Sequence, residues 1–136
     1  MNPNDAILID PSKSRVVLIG CSTYDDASWS PIPKVTKNIE DLATLFRDKT
    51  GIGFEKDHVK EVLDKSNRDE VIGVLKSAAR EAADTLIVYY AGHGALGYHK
   101  PDLLLTVKTT PYEEPDHLAI SLSGRLPANR AQKPSQ

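Results

Sequence analysis

Large apolar residues fall along this chain in two kinds of pattern. Two runs are continuous, Arg15-Val16-Val17-Leu18-Ile19-Gly20-Cys21 and Leu86-Ile87-Val88-Tyr89-Tyr90. They are too short for a confident helix, and their β-branched and aromatic character predicts strands buried on both faces, in the middle of a sheet. Other stretches are periodic. Ile39, Leu42, Ala43, Leu45 and Phe46 recur at helical spacing, Asn38 with Asp41 reads as a capping box, and Gly51 marks the end. Alternation in His58-Val59-Lys60-Glu61-Val62-Leu63-Asp64 predicts a third, more exposed strand near a sheet edge. A second helix follows, opened by Asn67-Arg68-Asp69-Glu70, with Val71, Val74, Leu75, Ala78 and Ala82 on one face.

Strand, helix, strand, helix, strand with short links is the order of right-handed parallel crossovers. The expected fold is therefore a three-layer, doubly wound α/β domain with a mainly parallel sheet, the first and third strands adjacent. Residues 1–13 read as an extended arm and residues 22–33 as a long loop of the kind that builds binding sites. Residues 102–107 predict a strand or hairpin arm, and residues 117–123 the approach to another helix. That helix does not follow: residues 124–136 hold one large apolar side chain and no acid, the composition of a disordered tail. Residues 14–123 thus make a domain incomplete in its C-terminal half.

Composition narrows the function. A length of 136 residues, 40% hydrophobic and 26% charged, fits one globular domain, and a net charge of −2 without a basic stripe argues against nucleic-acid binding. No apolar run approaches a membrane span and the amino end lacks the pattern of a signal peptide, so a cytoplasmic location is expected. The single cysteine, Cys21, excludes an internal disulfide and any multi-thiolate zinc site. His58, His99 and His117 lack ligand spacing, and neither metal nor cofactor is expected.

His93 is the chemical focus. It follows the second apolar run between Gly92 and Gly94, where an open parallel sheet collects its ligands, and an imidazole there moves protons near neutral pH. Three plainer readings stand beside this one. His93 can cap a strand; Gly92-His93-Gly94 can be a phosphate cradle if a helix begins just after it; and Cys21, at the end of the first strand, can be either inert packing or a nucleophile facing His93.

Arg15 to Tyr24, Asn38-Ile39-Glu40-Asp41-Leu42, and Thr85 to Gly94 with its Tyr-Tyr-Ala-Gly-His-Gly together resemble the large-subunit half of caspase-like cysteine peptidases, bacterial caspase-like domains in particular, over roughly residues 14–123. The resemblance implies an endopeptidase acting on peptide or protein substrates. His93 would be the base or imidazolium partner of a thiolate, and the Gly94 N–H an oxyanion donor. The loop with Tyr24, Asp25 and Asp26 would shape the pocket before the cut bond, either acid favouring a basic side chain. The family's nucleophile lies about 50 residues beyond its histidine, near position 143 here, past Gln136. The expectation is a His-bearing half-domain, cut short by truncation, frameshift or an alternative end, and inactive alone. A non-catalytic module, pairing with itself or another protein through an open sheet edge, is the alternative.

Overall fold

A computed structural model describes residues 8–65, 67–97 and 102–121. Arg15–Gly20 forms β1, Val59–Leu63 β2 and Leu86–Ala91 β3, joined by helices α1, Lys34–Arg47, and α2, Arg68–Glu81. The three strands make one parallel sheet in the order β2-β1-β3, with Val17 opposite Lys60 on one side and Val88 on the other. The α/β class, the crossovers and the β1–β3 pairing agree with the sequence pattern. The strand expected at the centre does not: β1 holds that place, and β3 lies at an edge among the described residues. Its apolar run predicted burial on both faces, yet it is only part-buried and Val88 is 48% exposed.

Strand alternation sends β1 residues to opposite faces, and each face receives one helix. Val16 and Leu18 pack with Val35, Ile39 and Ala43 of α1 and with Phe54. Val17 and Ile19 pack with Val62 and with Val71 and Ala78 of α2. Gly20 lets α1 approach closely, since a Cβ there would stand 2.8 Å from both Val35 and Ile39 side chains.

The helix ends separate a real cap from an apparent one. Asn67 caps α2 through its side chain, which accepts from Glu70 N–H at 2.9 Å. Asn38 and Asp41 form no capping box: α1 begins four residues earlier behind Pro33, and Asp41 pairs with Lys37 at 3.1 Å. Leu45, expected on the packed face, is exposed, and α1 stops at Asp48, before Gly51.

Beyond β3 the chain turns into a second small sheet. Gly94–Leu96 (β4), Leu103–Leu105 (β5) and Ile120–Ser121 (β6) pair antiparallel in the order β4-β5-β6. The strand expected within residues 102–107 is thus β5, paired on both sides, with β4 and with β6. The expected approach to a helix is instead a 3-10 turn, Pro115–His117, followed by β6. Part of the predicted arm is held by a short turn, Pro11–Lys13, and by Asp10 N–H bonding the Asp84 carboxylate at 2.9 Å. His99 and residues 124–136 lie outside the described residues.

Candidate active site

The site lies beyond the carboxyl ends of β1 and β3, where the loop of residues 22–33 meets the turn at His93 and the segment after β5. Gly92 permits this approach: a Cβ there would collide with the Tyr90 hydroxyl and lie 3.1 Å from that of Tyr24. Three residues of the loop then surround His93. The Trp29 ring stacks on the imidazole with centroids 5.3 Å apart, and the Tyr24 ring lies at 5.2 Å. The Ser30 carbonyl oxygen stands 2.7 Å from Nε2. A carbonyl only accepts, so in the neutral ring Nε2 carries the proton and Nδ1 is the basic nitrogen.

The backbone of His93 is fixed as firmly. Its N–H donates to the Tyr24 hydroxyl at 2.9 Å, and its carbonyl accepts from Thr106 Oγ1 at 2.8 Å and the Tyr90 hydroxyl at 3.0 Å. Tyr24 also bonds Thr106 Oγ1 at 2.7 Å. Burial pushes both the Tyr24 and Tyr90 hydroxyls upward from the usual phenol range, so they stay protonated. Gly94 opens β4 instead of a loop. Thr106 N–H donates to His93 O, and Gly94 stands opposite Leu105. The alternation of an antiparallel ladder then turns the Gly94 N–H away from β5. A strand, β4, and not a helix follows His93 directly, which removes the phosphate-cradle reading.

The two acids differ in their duties. Asp25 is exposed and its carboxylate lies 3.8 Å from Lys108 Nζ. Asp26 is a staple: it accepts from Ser28 N–H at 2.9 Å and Tyr112 N–H at 2.8 Å, bonds that hold its carboxyl below the ordinary range. Trp29 adds a second tie between the segments, donating from Nε1 to the Thr110 carbonyl at 2.8 Å.

Cys21 is buried at the end of β1, and its thiol donates to the Thr23 carbonyl at 3.3 Å. Burial pushes it up to about 11, the state of an inert thiol, because only the thiolate attacks carbonyls. None of its hydrogen bonds among the described residues reaches His93.

Sequence reasoning brought His93, Gly94, Tyr24, Asp25 and Asp26 to one end of the sheet, and there they are found. It passed over Trp29, Ser30, Tyr90 and Thr106. The sole tryptophan of the chain, set in a long loop, was the available signal; the Ser30 contact is made by backbone and leaves no side-chain signature. Elsewhere, His58 Nδ1 lies 3.1 Å from the Pro11 carbonyl, a structural tie for the arm. Among the described residues no group of three or more His, Cys, Asp or Glu is placed to hold a metal ion, and no helix is long and apolar enough to cross a membrane. A wider concavity, about 470 Å³, runs along α2 from Glu70 to Glu81 beside Arg15 of β1 and Lys60 of β2, and His93 is not among its lining residues.

The parallel sheet thus sets an oriented imidazole beyond the carboxyl ends of two adjacent strands, the place where open α/β sheets collect their ligands. The caspase domain model matches residues 13–125, and the chain belongs to that family of cysteine peptidases. No curated protein and no solved structure matches it.

Proposed function

We propose that this chain is the base-bearing half of a caspase-like cysteine endopeptidase site and is inactive alone. The observation that carries this reading is the His93 Nε2 bond to Ser30 O, 2.7 Å, on a ring stacked against Trp29. Nucleophilic catalysis needs a base whose far nitrogen is oriented by a third group, and the Ser30 carbonyl is such a group. Were a thiol brought to the site, Nδ1 of His93 would take its proton, the thiolate would attack the peptide carbonyl, and the Gly94 N–H would donate to the oxygen as it gains charge. Asp25, exposed at the loop, favours a basic side chain before the cut bond; Asp26 acts by holding the loop in place. The sulfur is the missing part, because the one cysteine of the chain is the buried Cys21.

A specific observation favours the alternative, a module that pairs through the edge of β3. Val88 is 48% exposed in the middle of that strand, and no charged side chain interrupts it. One experiment separates the readings. The purified chain and its Cys21→Ser variant are assayed with fluorogenic peptides ending in Arg or Lys, and both are treated with a thiol-directed active-site probe. No turnover and no Cys21-dependent labelling is the expected result. Turnover abolished by Cys21→Ser overturns the inactive half-site, and inactivity with a defined oligomer supports the pairing module.

A further inference from the structure

Asp64 stands outside the ring of groups around His93, on the far side of β1, yet it holds the neck of the loop that surrounds it. It follows the last residue of β2 with φ +53°, a left-handed backbone rare for a residue with a side chain. Its N–H is tied to the Gly20 carbonyl at 2.9 Å. The resulting turn aims its carboxylate across the end of β1. One oxygen accepts from Ser22 N–H at 2.6 Å and Thr23 N–H at 3.3 Å, and the other from Ser22 Oγ at 2.6 Å.

Ser22 is buried, and its carbonyl accepts from Ile32 N–H at 2.8 Å, closing residues 22–32 into a loop pinched at its base. Between the two ends of that pinch lie Tyr24, Trp29 and Ser30, which respectively accept the His93 N–H, stack on its ring and accept from Nε2. Charge-assisted bonds to a carboxylate are stronger than neutral ones, and three converge on this residue. We infer that Asp64 is a positioning residue for His93, acting through the neck of the 22–32 loop to hold the imidazole in its Nε2–H orientation.

The inference rests on the base reading of His93 only for its meaning in catalysis, so its test uses no turnover. The chain has a single tryptophan, and it is the ring stacked on His93. The Trp29 indole stacked on the imidazole has a near-UV circular dichroism band and an emission maximum set by that contact, and His93→Gln is expected to change both. Asp64→Gly keeps the left-handed backbone and deletes the carboxylate. Asp64→Asn also tolerates that backbone, with its amide oxygen facing the Ser22 and Thr23 N–H groups and its NH2 facing the Ser22 hydroxyl, so it loses the charge and keeps the contacts. Asp64→Gly is expected to lose the Trp29 signals of the parent chain and the Nε2–H signature in imidazole ¹⁵N spectra, and Asp64→Asn to retain them, while far-UV circular dichroism and a cooperative unfolding transition persist. Should the glycine variant fail to fold, Asp64→Ala, which also lacks the acceptors, decides by the same readouts. Retention of the Trp29 signals and the Nε2–H tautomer in a folded Asp64→Gly or Asp64→Ala variant overturns the inference. Because the proposed peptidase role predicts nothing about these signals, failure of that role leaves the result readable.

Discussion

The imidazole of His93 is tied at Nε2 to the carbonyl oxygen of Ser30, 63 residues earlier in the chain and 2.7 Å away. The acceptor is backbone, so the bond survives any replacement of the serine side chain that leaves the loop in place. The expected outcome in ¹H–¹⁵N correlation spectra is a neutral His93 with the proton on Nε2, unchanged by Ser30→Ala. A neutral ring protonated on Nδ1 contradicts both the loop contact and the assignment of Nδ1 as the base.

Tyr24 offers a direct measure of how much the site's hydrogen bonds contribute to stability. Its hydroxyl accepts from His93 N–H and pairs with Thr106 Oγ1, whose residue is fully buried. Tyr24→Phe leaves the His93 amide without its partner, and a buried polar group left unmatched costs about 1–3 kcal/mol. Tyr112→Phe, at an exposed ring, is expected to stay within ~0.5 kcal/mol of the parent chain. Urea denaturation of the two variants side by side checks the contrast; equal midpoints would remove Tyr24 from the account.

These contacts also mark what the sequence conveys. β1 was legible because both its faces are covered, so nearly every residue in it is apolar. β3 carries the same apolar signature, yet its edge position was not readable from its own residues: a strand's neighbours are set by what the rest of the chain supplies. The start of α1 was misread because Asn38 and Asp41 have the spacing of a cap while Pro33, three residues before Thr36, suits a helix start through its fixed φ. His93 stood out between two glycines. Ser30 and Asp64 did not, because one acts through a carbonyl and the other ends an alternating strand pattern that explained it too easily.

Alkali tests the buried thiol. The Cys21 thiol rises from 9.0 to about 11 through burial, so between those values the unfolded chain has lost the proton that the folded chain still holds. The unfolded state binds fewer protons there, and stability falls as pH rises: the contribution is complete below about 9 and gone once pH passes 11. Tyr24 and Tyr90, also raised by burial, act in the same direction. Cys21→Ala is expected to flatten the fall in unfolding midpoint over that window without abolishing it. An identical slope in the variant would mean that the thiol titrates normally in the folded chain.

The two ends of the hydrophobic scale along α1 give a packing prediction. Ile39 is fully buried against Val16 and Leu18, whereas Leu45 is 59% exposed on the same helix. Ile39→Ala is expected to destabilise by about 2–5 kcal/mol, through lost transfer energy and the cavity left behind. Leu45→Ala is expected to change stability by less than ~0.5 kcal/mol, the range of ordinary surface substitutions. Thermal unfolding of both variants is the check, and similar losses would place Leu45 in the core that the sequence pattern suggested.

The two edges of the parallel sheet are treated differently, and that difference predicts where association occurs. At β2 the guanidinium of Arg47 covers the edge, donating to the Val59 carbonyl at 2.7 Å and to the Glu61 carboxylate at 2.8 Å. At β3 the bond from Cys21 N–H to Ala91 O directs residues 87, 89 and 91 toward β1, so alternation turns the backbone groups of Leu86, Val88 and Tyr90 to the outer side. An uncharged edge of that kind pairs with other strands, and a lysine placed on it is the usual deterrent. Val88→Lys puts the charge at the middle of the edge, on a side chain already half exposed, and is expected to leave the unfolding free energy within ~0.5 kcal/mol of the parent. Sedimentation velocity over a concentration series should show the parent chain associating and the Val88→Lys variant remaining monomeric, while Arg47→Ala, by uncovering β2, increases association. If Val88→Lys leaves the association unchanged, the chains meet through some other surface and the β3 edge has no part in it.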